Sequence, residues 1–192
     1  MIGRRKKVQQ LDDHELCTMV RGTRREAEAA FSELFNRYSS RIHAYAYRIL
    51  NDQEAAEDVY QETFVRFHKA LRDGAEMQNL TGFLFTISKN LCLNYLKSKK
   101  RRNTVPIEDY DFEVFNHTYE SEELMNLIAM ALDLLEYEFR EAFVLREYQG
   151  MSYAEVAEMT GTTLATAKIR VHRAKQKIKT ILKPYVRDIL AI

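Results

Sequence analysis

Thr166, Ile169, Arg170 and Arg173, with Lys177 a turn further on, carry the clearest chemistry in this chain. Three or four residues apart, save for the adjacent Ile169 and Arg170, they fall along one side of a helix. A hydroxyl, an aliphatic group and guanidinium forks in that line suit a DNA major groove. The first members would reach base edges and the later ones phosphates. The residues upstream are those that such a helix needs to be held in place. Ala157 is small where two helices approach closely, and Gly161 stands where a first helix ends and the backbone turns left-handed. Thr162 or Thr163 can cap the next helix. From there Leu164, Ala167, Val171, Ala174, Ile178 and Ile181 recur at helical spacing as a core-facing stripe. The stretch from Ser152 to Lys175 therefore reads as a helix-turn-helix. An amphipathic surface helix with a solvated basic side accounts for the cations, but not for the turn residues before them.

Two further segments set polar groups in register. Over 80–102, Phe83, Phe85 and Tyr95 interleave with Thr86, Lys89, Asn90, Asn94 and Lys97, ahead of a run from Lys99 to Arg102. Rings stack on bases, amides read Watson–Crick edges and cations neutralise phosphates, a set that suits single-stranded nucleic acid. The same residues fit a helix with a ring-filled core and a basic end favoured by its dipole. Over 53–72, Glu54, Glu57, Asp58, Gln61 and Glu62 form an acidic-polar face on adjacent turns. Carboxylate metal sites in helix bundles use Glu-x-x-His pairs, and this segment has none, so no metal or other cofactor is expected. A solvated surface and a protein-docking surface fit the spacing equally.

Few helix breakers interrupt the elements that must position these groups. Six glycines and two prolines in 192 residues argue for an all-α protein. The periodicity predicts helices over 12–21, 24–38, 39–50, 53–72 and 80–100. Ala27, Ala30, Phe31, Leu34 and Phe35 face inward on the second, and Ala55, Val59, Phe64, Phe67 and Leu71 on the fourth. Leu80, Leu84, Ile87 and Leu91 form the core stripe of the fifth. Residues 73–79 lose the pattern and read as a loop. Two small helical domains are expected, 12–102 and 122–192, preceded by a basic, disordered tail over 1–11. An aperiodic linker over 103–121 joins them, with Pro106 near its start. The second domain holds helices over 122–135, 137–148, 152–160 and 163–182, and Pro184 marks the frayed end of the last.

A net charge of +1 hides strong blocks. Residues 1–102 carry 19 Lys and Arg against 13 Asp and Glu, residues 103–145 carry 1 against 11, and residues 146–192 carry 9 against 4. Two basic lobes flank an acidic middle, which points to partners more than to fold. Cys17 and Cys92 form no C-x-x-C pair, as expected for inert thiols in a reducing cytoplasm. No apolar run spans a bilayer, and none follows the basic start as a signal peptide requires. His14, His43, His68, His117 and His172 are scattered without catalytic or metal-ligand spacing, so an enzyme is not expected.

Taken together, Tyr60 to Phe64, Phe83 to Asn90 with Asn94 to Leu96, Gly150 to Ala157 and Thr166 to Ala174 resemble an extracytoplasmic-function (ECF) sigma factor of bacteria. The resemblance covers about residues 12–182 and is carried by four motifs in order: region 2, a linker, then region 4. It implies a subunit that binds core RNA polymerase and directs promoter recognition, −10 melting and initiation. By position it assigns docking on the β′ clamp helices to Asp58, Gln61, Glu62 and Phe64. It assigns single-stranded −10 capture to the 73–79 loop, Phe83, Asn90 and Asn94, with Lys97, Lys100 and Arg101 on phosphates. It assigns the −35 duplex to Thr166, Lys168, Ile169, Arg170 and Arg173. Anti-sigma factors are common partners of such proteins.

This chain departs from the family pattern in several places. Phe83 stands where Trp is usual, Leu135-Glu136 replaces a Leu-Pro opening, and Ala167 and Ile169 replace Val and Ser. Ile169 could meet a thymine methyl or be a tolerated surface residue. The alternative function is a freestanding helix-turn-helix regulator, which would bind duplex DNA without polymerase.

Overall fold

The computed structural model describes residues 7–77, 79–102 and 121–186. Residues 1–6 of the expected tail, Gln78 of the expected loop, linker residues 103–120 and residues 187–192 lie outside them, whereas Val8–Gln10 of the tail expected to be disordered form a 3-10 helix. Among the described residues there are eight α-helices and no strand: α1 (Asp13–Met19), α2 (Arg24–Leu50), α3 (Gln53–Arg72), α4 (Leu80–Arg102), α5 (Ser121–Asp133), α6 (Tyr137–Phe143), α7 (Tyr153–Thr160) and α8 (Leu164–Val186). They form two compact units, residues 7–47 with 52–95, and residues 48–51 with 96–102 and 121–186.

In the first unit, α1 opens with a capping box, Asp12 accepting from the Glu15 amide at 2.7 Å and Glu15 accepting from the Asp12 amide at 2.9 Å. Asp13 is then held on α2 by the Tyr38 hydroxyl and by Arg37 at 2.9 Å. The helices expected over 24–38 and 39–50 are one continuous helix. Ser39 and Ser40 are weaker helix formers than their neighbours, yet Tyr38, Ile42, Tyr45 and Ala46 are buried on both sides of them. Tertiary burial thus carries the helix through a weak stretch.

The inward face of α3 is the expected one, with Ala56 and Thr63 added. The Thr63 hydroxyl donates to the Val59 carbonyl at 2.7 Å, which lets it enter the core. On α4 the stripe differs from expectation. Leu80, Leu84, Phe85, Ser88 and Cys92 are buried, while Ile87 and Leu91 are only half-buried. Burial raises the thiol of half-buried Cys17 to about 11, reinforced by Asp13 and opposed by Arg21, so the neutral form prevails at neutral pH.

In the second unit α5, α6 and α7 pack on α8. Ala131, Leu132, Leu135, Ala174 and Ile178 form one buried cluster, flanked by Ile128, Phe139, Phe143 and Ile181. The α6 helix continues as a π-turn over Val144–Tyr148. Ser152 and Glu155 form a capping box on α7, and Gly161 ends that helix at φ 64° and ψ 37°, as a left-handed C-cap requires. Of the two candidate caps for α8 it is Thr163 that serves, its hydroxyl accepting from the Thr166 amide at 3.1 Å.

Ala167, Val171, Ala174 and Ile178 face the core as expected, but Leu164 is 47% exposed. Helical side chains lean toward the N-terminus, so the first residue of α8 reaches past the helix end instead of into the core. The helix also continues to Val186, with Pro184 inside its last turn.

Arg140, a buried cation that composition and periodicity did not single out, fixes the end of α5. Its guanidinium donates to the carbonyls of Asp133 (2.6 Å) and Leu135 (3.2 Å) and pairs with the Asp133 carboxylate at 3.0 Å. Burial lowers its pKa, and Asp133 opposes that shift. Arg140→Met leaves those carbonyls without their donor and should cost about 2–3 kcal/mol. Hydrogen exchange of the α5–α8 amides reads that loss, and protection equal to the parent chain would show that the carbonyls find other donors.

Candidate nucleic-acid interface and docking groove

Between α2 and α3 lies a groove of about 620 Å³ lined by Phe31, Phe35, Glu57, Tyr60, Gln61, Phe64, Val65 and His68. Its floor is aromatic. Phe35 and Phe64 have ring centroids 4.8 Å apart, and His68 meets Phe31 edge-on at the same distance. Phe64, expected to dock a partner, is only 4% exposed and acts as floor. The apolar group at the surface is Val65, 63% exposed.

Along the rim Gln61 donates to Glu57 at 2.8 Å, and His43 stands 3.5 Å from Glu57. Glu62 pairs with Arg66 at 2.7 Å, and Asp58 is exposed. The groove sets exposed apolar surface beside the carboxylates of its rim. Phe31, Phe35, Val65 and His68 were missing from the sequence-derived docking set. Val65 alone gave a signal, as an apolar residue off the inward stripe of α3.

On α4, Asn90, Asn94, Lys97 and Arg101 are all exposed, and their spacing places them on one face. Lys100 is exposed beside them, and Phe83 is half-buried at the N-terminal end of the line with its ring 6.4 Å from Phe67. The three interleaved rings therefore part company. Phe85 is fully buried, edge-on to Tyr45 at 5.3 Å. The Tyr95 hydroxyl donates to Asp52 at 2.7 Å, and Asp52 caps α3 through the Ala55 amide. Neither of these rings is part of the exposed line.

Asn79, at the end of the 73–79 loop, accepts from the Gly82 amide at 2.8 Å and so caps α4. The start of the loop is held by Arg21, which donates to the carbonyls of Leu71 (3.2 Å) and Ala75 (2.7 Å).

On α8 the expected contacts divide. Arg170 has a side chain only 19% exposed and pairs with Glu138 at 3.0 Å. Lys177 pairs with Glu136 at 2.8 Å and lies over the Phe139 ring, and Lys175 pairs with Glu147 at 2.9 Å. The Thr166 hydroxyl is 2.8 Å from that of Thr163, and the Lys168 ammonium lies 6.0 Å from the Tyr153 ring centre. Ile169 and Arg173 are exposed, one helical turn apart.

Among the described residues no cluster of His, Cys, Asp and Glu could hold a metal ion, and no helix is long and apolar enough to cross a membrane.

The groove, the exposed line of α4 and the helix-turn-helix fall within, or partly within, stretches that match two family profiles. Residues 34–102 match Sigma-70 region 2, and residues 125–178 match Sigma-70 region 4. The chain is 32% identical over 165 residues to the ECF RNA polymerase sigma factor SigE of Mycolicibacterium smegmatis, covering 81% of this chain and 63% of that protein. It is 30% identical over 153 residues to the ECF RNA polymerase sigma factor SigM of Mycobacterium tuberculosis, covering 80% of this chain and 77% of that one. The solved structure of the sigma factor RpoE with the anti-sigma factor NepR, from Bartonella quintana, aligns with a TM-score of 0.66 at 26% identity. That alignment covers 80% of this chain and 96% of the other. The chain belongs to the ECF group of RNA polymerase sigma factors.

Proposed function

We propose that this chain docks on core RNA polymerase through the α2–α3 groove and the acidic face of α3, with Asp58, Gln61 and Glu62 at the rim and Phe64 as floor. The observation that carries the proposal is the pairing, within one compact unit, of that groove with the exposed amides Asn90 and Asn94 of α4, a helix that carries Lys97, Lys100 and Arg101 further along. A freestanding duplex-binding regulator has no use for either surface. Phe83, Asn90 and Asn94 hold the −10 strand once it is single, and Lys97, Lys100 and Arg101 neutralise its phosphates. The α8 helix, held by the Gly161 turn, reads the −35 duplex with Ile169 and Arg173 outermost. Thr166, Lys168 and Arg170 set the position of that helix as much as they touch DNA.

The protein works in the cytoplasm, where promoter DNA and polymerase are, and performs no catalysis of its own. An anti-sigma factor, of the kind that NepR is for the Bartonella protein, is a further partner.

Run-off transcription with core polymerase and a promoter library tests the whole proposal: promoter-specific transcripts support it, and a lack of core binding would overturn it. Reversing charge and polarity at the rim with Asp58→Lys and Val65→Asp should weaken core binding about tenfold or more, roughly 1.4 kcal/mol. Unaltered affinity would return the groove to the solvent. Asn90→Ala should leave −35 duplex binding intact but lower permanganate-detected opening of the −10 element about five- to tenfold, as expected for loss of one hydrogen-bonded base edge. Full opening by that variant would remove Asn90 from the base-holding line.

A further inference from the structure

We infer that Ile169 reads the 5-methyl group of a thymine in the −35 element, and that this apolar contact sets the base preference at its position. The inference rests on the reading of α8 as the duplex-reading helix.

Three of the five side chains expected to face DNA already have neighbours within the unit. The Thr166 hydroxyl lies against Thr163, Arg170 is paired with Glu138, and Lys168 lies near the Tyr153 ring. The outward line of the helix runs through Ala165, Ile169 and Arg173, all exposed and four residues apart, with Lys168 and His172 exposed on its flank. Its first two members have no side-chain hydrogen-bonding group. Ile169 is 51% exposed, and it lies in the first two turns of α8, the part of such a helix that meets base edges.

An aliphatic side chain there gains by burial against another apolar group. The major groove offers one, the thymine methyl. The amino edge of adenine or cytosine would instead lose a water partner against Ile169 without gaining another. The surroundings favour DNA over a protein partner, because Arg173 and Lys168 are exposed on either side of Ile169 and suit the phosphates that border a groove.

The test uses the full chain assembled with core polymerase. Duplexes are selected from a pool randomised at the −35 element. Each thymine of the selected element is then replaced by deoxyuridine, which removes only the methyl group. One thymine is expected whose replacement weakens binding about fourfold, the value of burying one such carbon. Ile169→Ser should bind the thymine and deoxyuridine duplexes alike, and Ile169→Val should keep the preference. The inference is overturned if the selected element lacks thymine, if deoxyuridine is tolerated at every position, or if Ile169→Ser discriminates as well as the parent chain. In the tolerant case Ile169 would instead belong to a protein-docking patch. If no −35 sequence is selected at all, the duplex-reading role of α8 fails as well, so the two failures are distinguishable.

Discussion

The ring of Phe67 is the point on which the first unit turns. It lies 6.0 Å from Phe31 of α2, 6.4 Å from Phe64 within α3 and 6.4 Å from Phe83 of α4. Three helices therefore meet at one fully buried aromatic side chain. Aromatic rings combine large buried area with a preferred edge-to-face geometry, so such a junction fixes angles as well as distances. Phe31 and Phe64 also line the α2–α3 groove, and Phe83 heads the exposed line of α4. Both candidate surfaces are thus the outer sides of one ring cluster, and a disturbance at its centre reaches both.

The second unit is organised by local chain geometry to a greater extent. The Ser152–Glu155 box, the left-handed turn at Gly161 and the Thr163 cap fix where α7 stops and α8 starts. Each depends on residue types within a few positions of one another, which is why the Gly161 turn and a threonine cap at 162 or 163 were legible in the sequence, although the Ser152–Glu155 box was not read there. The alternation of small and branched residues from Ala167 to Ile178 was legible for the same reason.

What the sequence hid are features decided by distant neighbours. The continuity of α2 through Ser39 and Ser40 depends on burial by other helices, which local propensity does not record. The core face of α4 includes Ser88, a polar residue that breaks the apolar pattern and shifts the apparent stripe toward Ile87 and Leu91. Phe83 and Phe85 look alike in sequence, yet one is half-exposed and the other is sealed against Tyr45. Arg140 could not be placed at all, because arginine is almost never fully buried and its partners are carbonyls that carry no sequence signal. In the docking groove the carboxylates of the rim were readable, whereas an aromatic floor assembled from two helices was not.

The three ion pairs that link Glu136, Glu138 and Glu147 to Lys177, Arg170 and Lys175 have a consequence for ionic strength. DNA binding by a basic surface is driven largely by release of counterions condensed on the duplex, in proportion to the number of phosphates neutralised. A cation already neutralised by a neighbouring carboxylate contributes less to that exchange, since its internal partner must first be given up. On the reading of α8 as the duplex-reading helix, its affinity should therefore fall less steeply with added salt than a count of its lysines and arginines suggests.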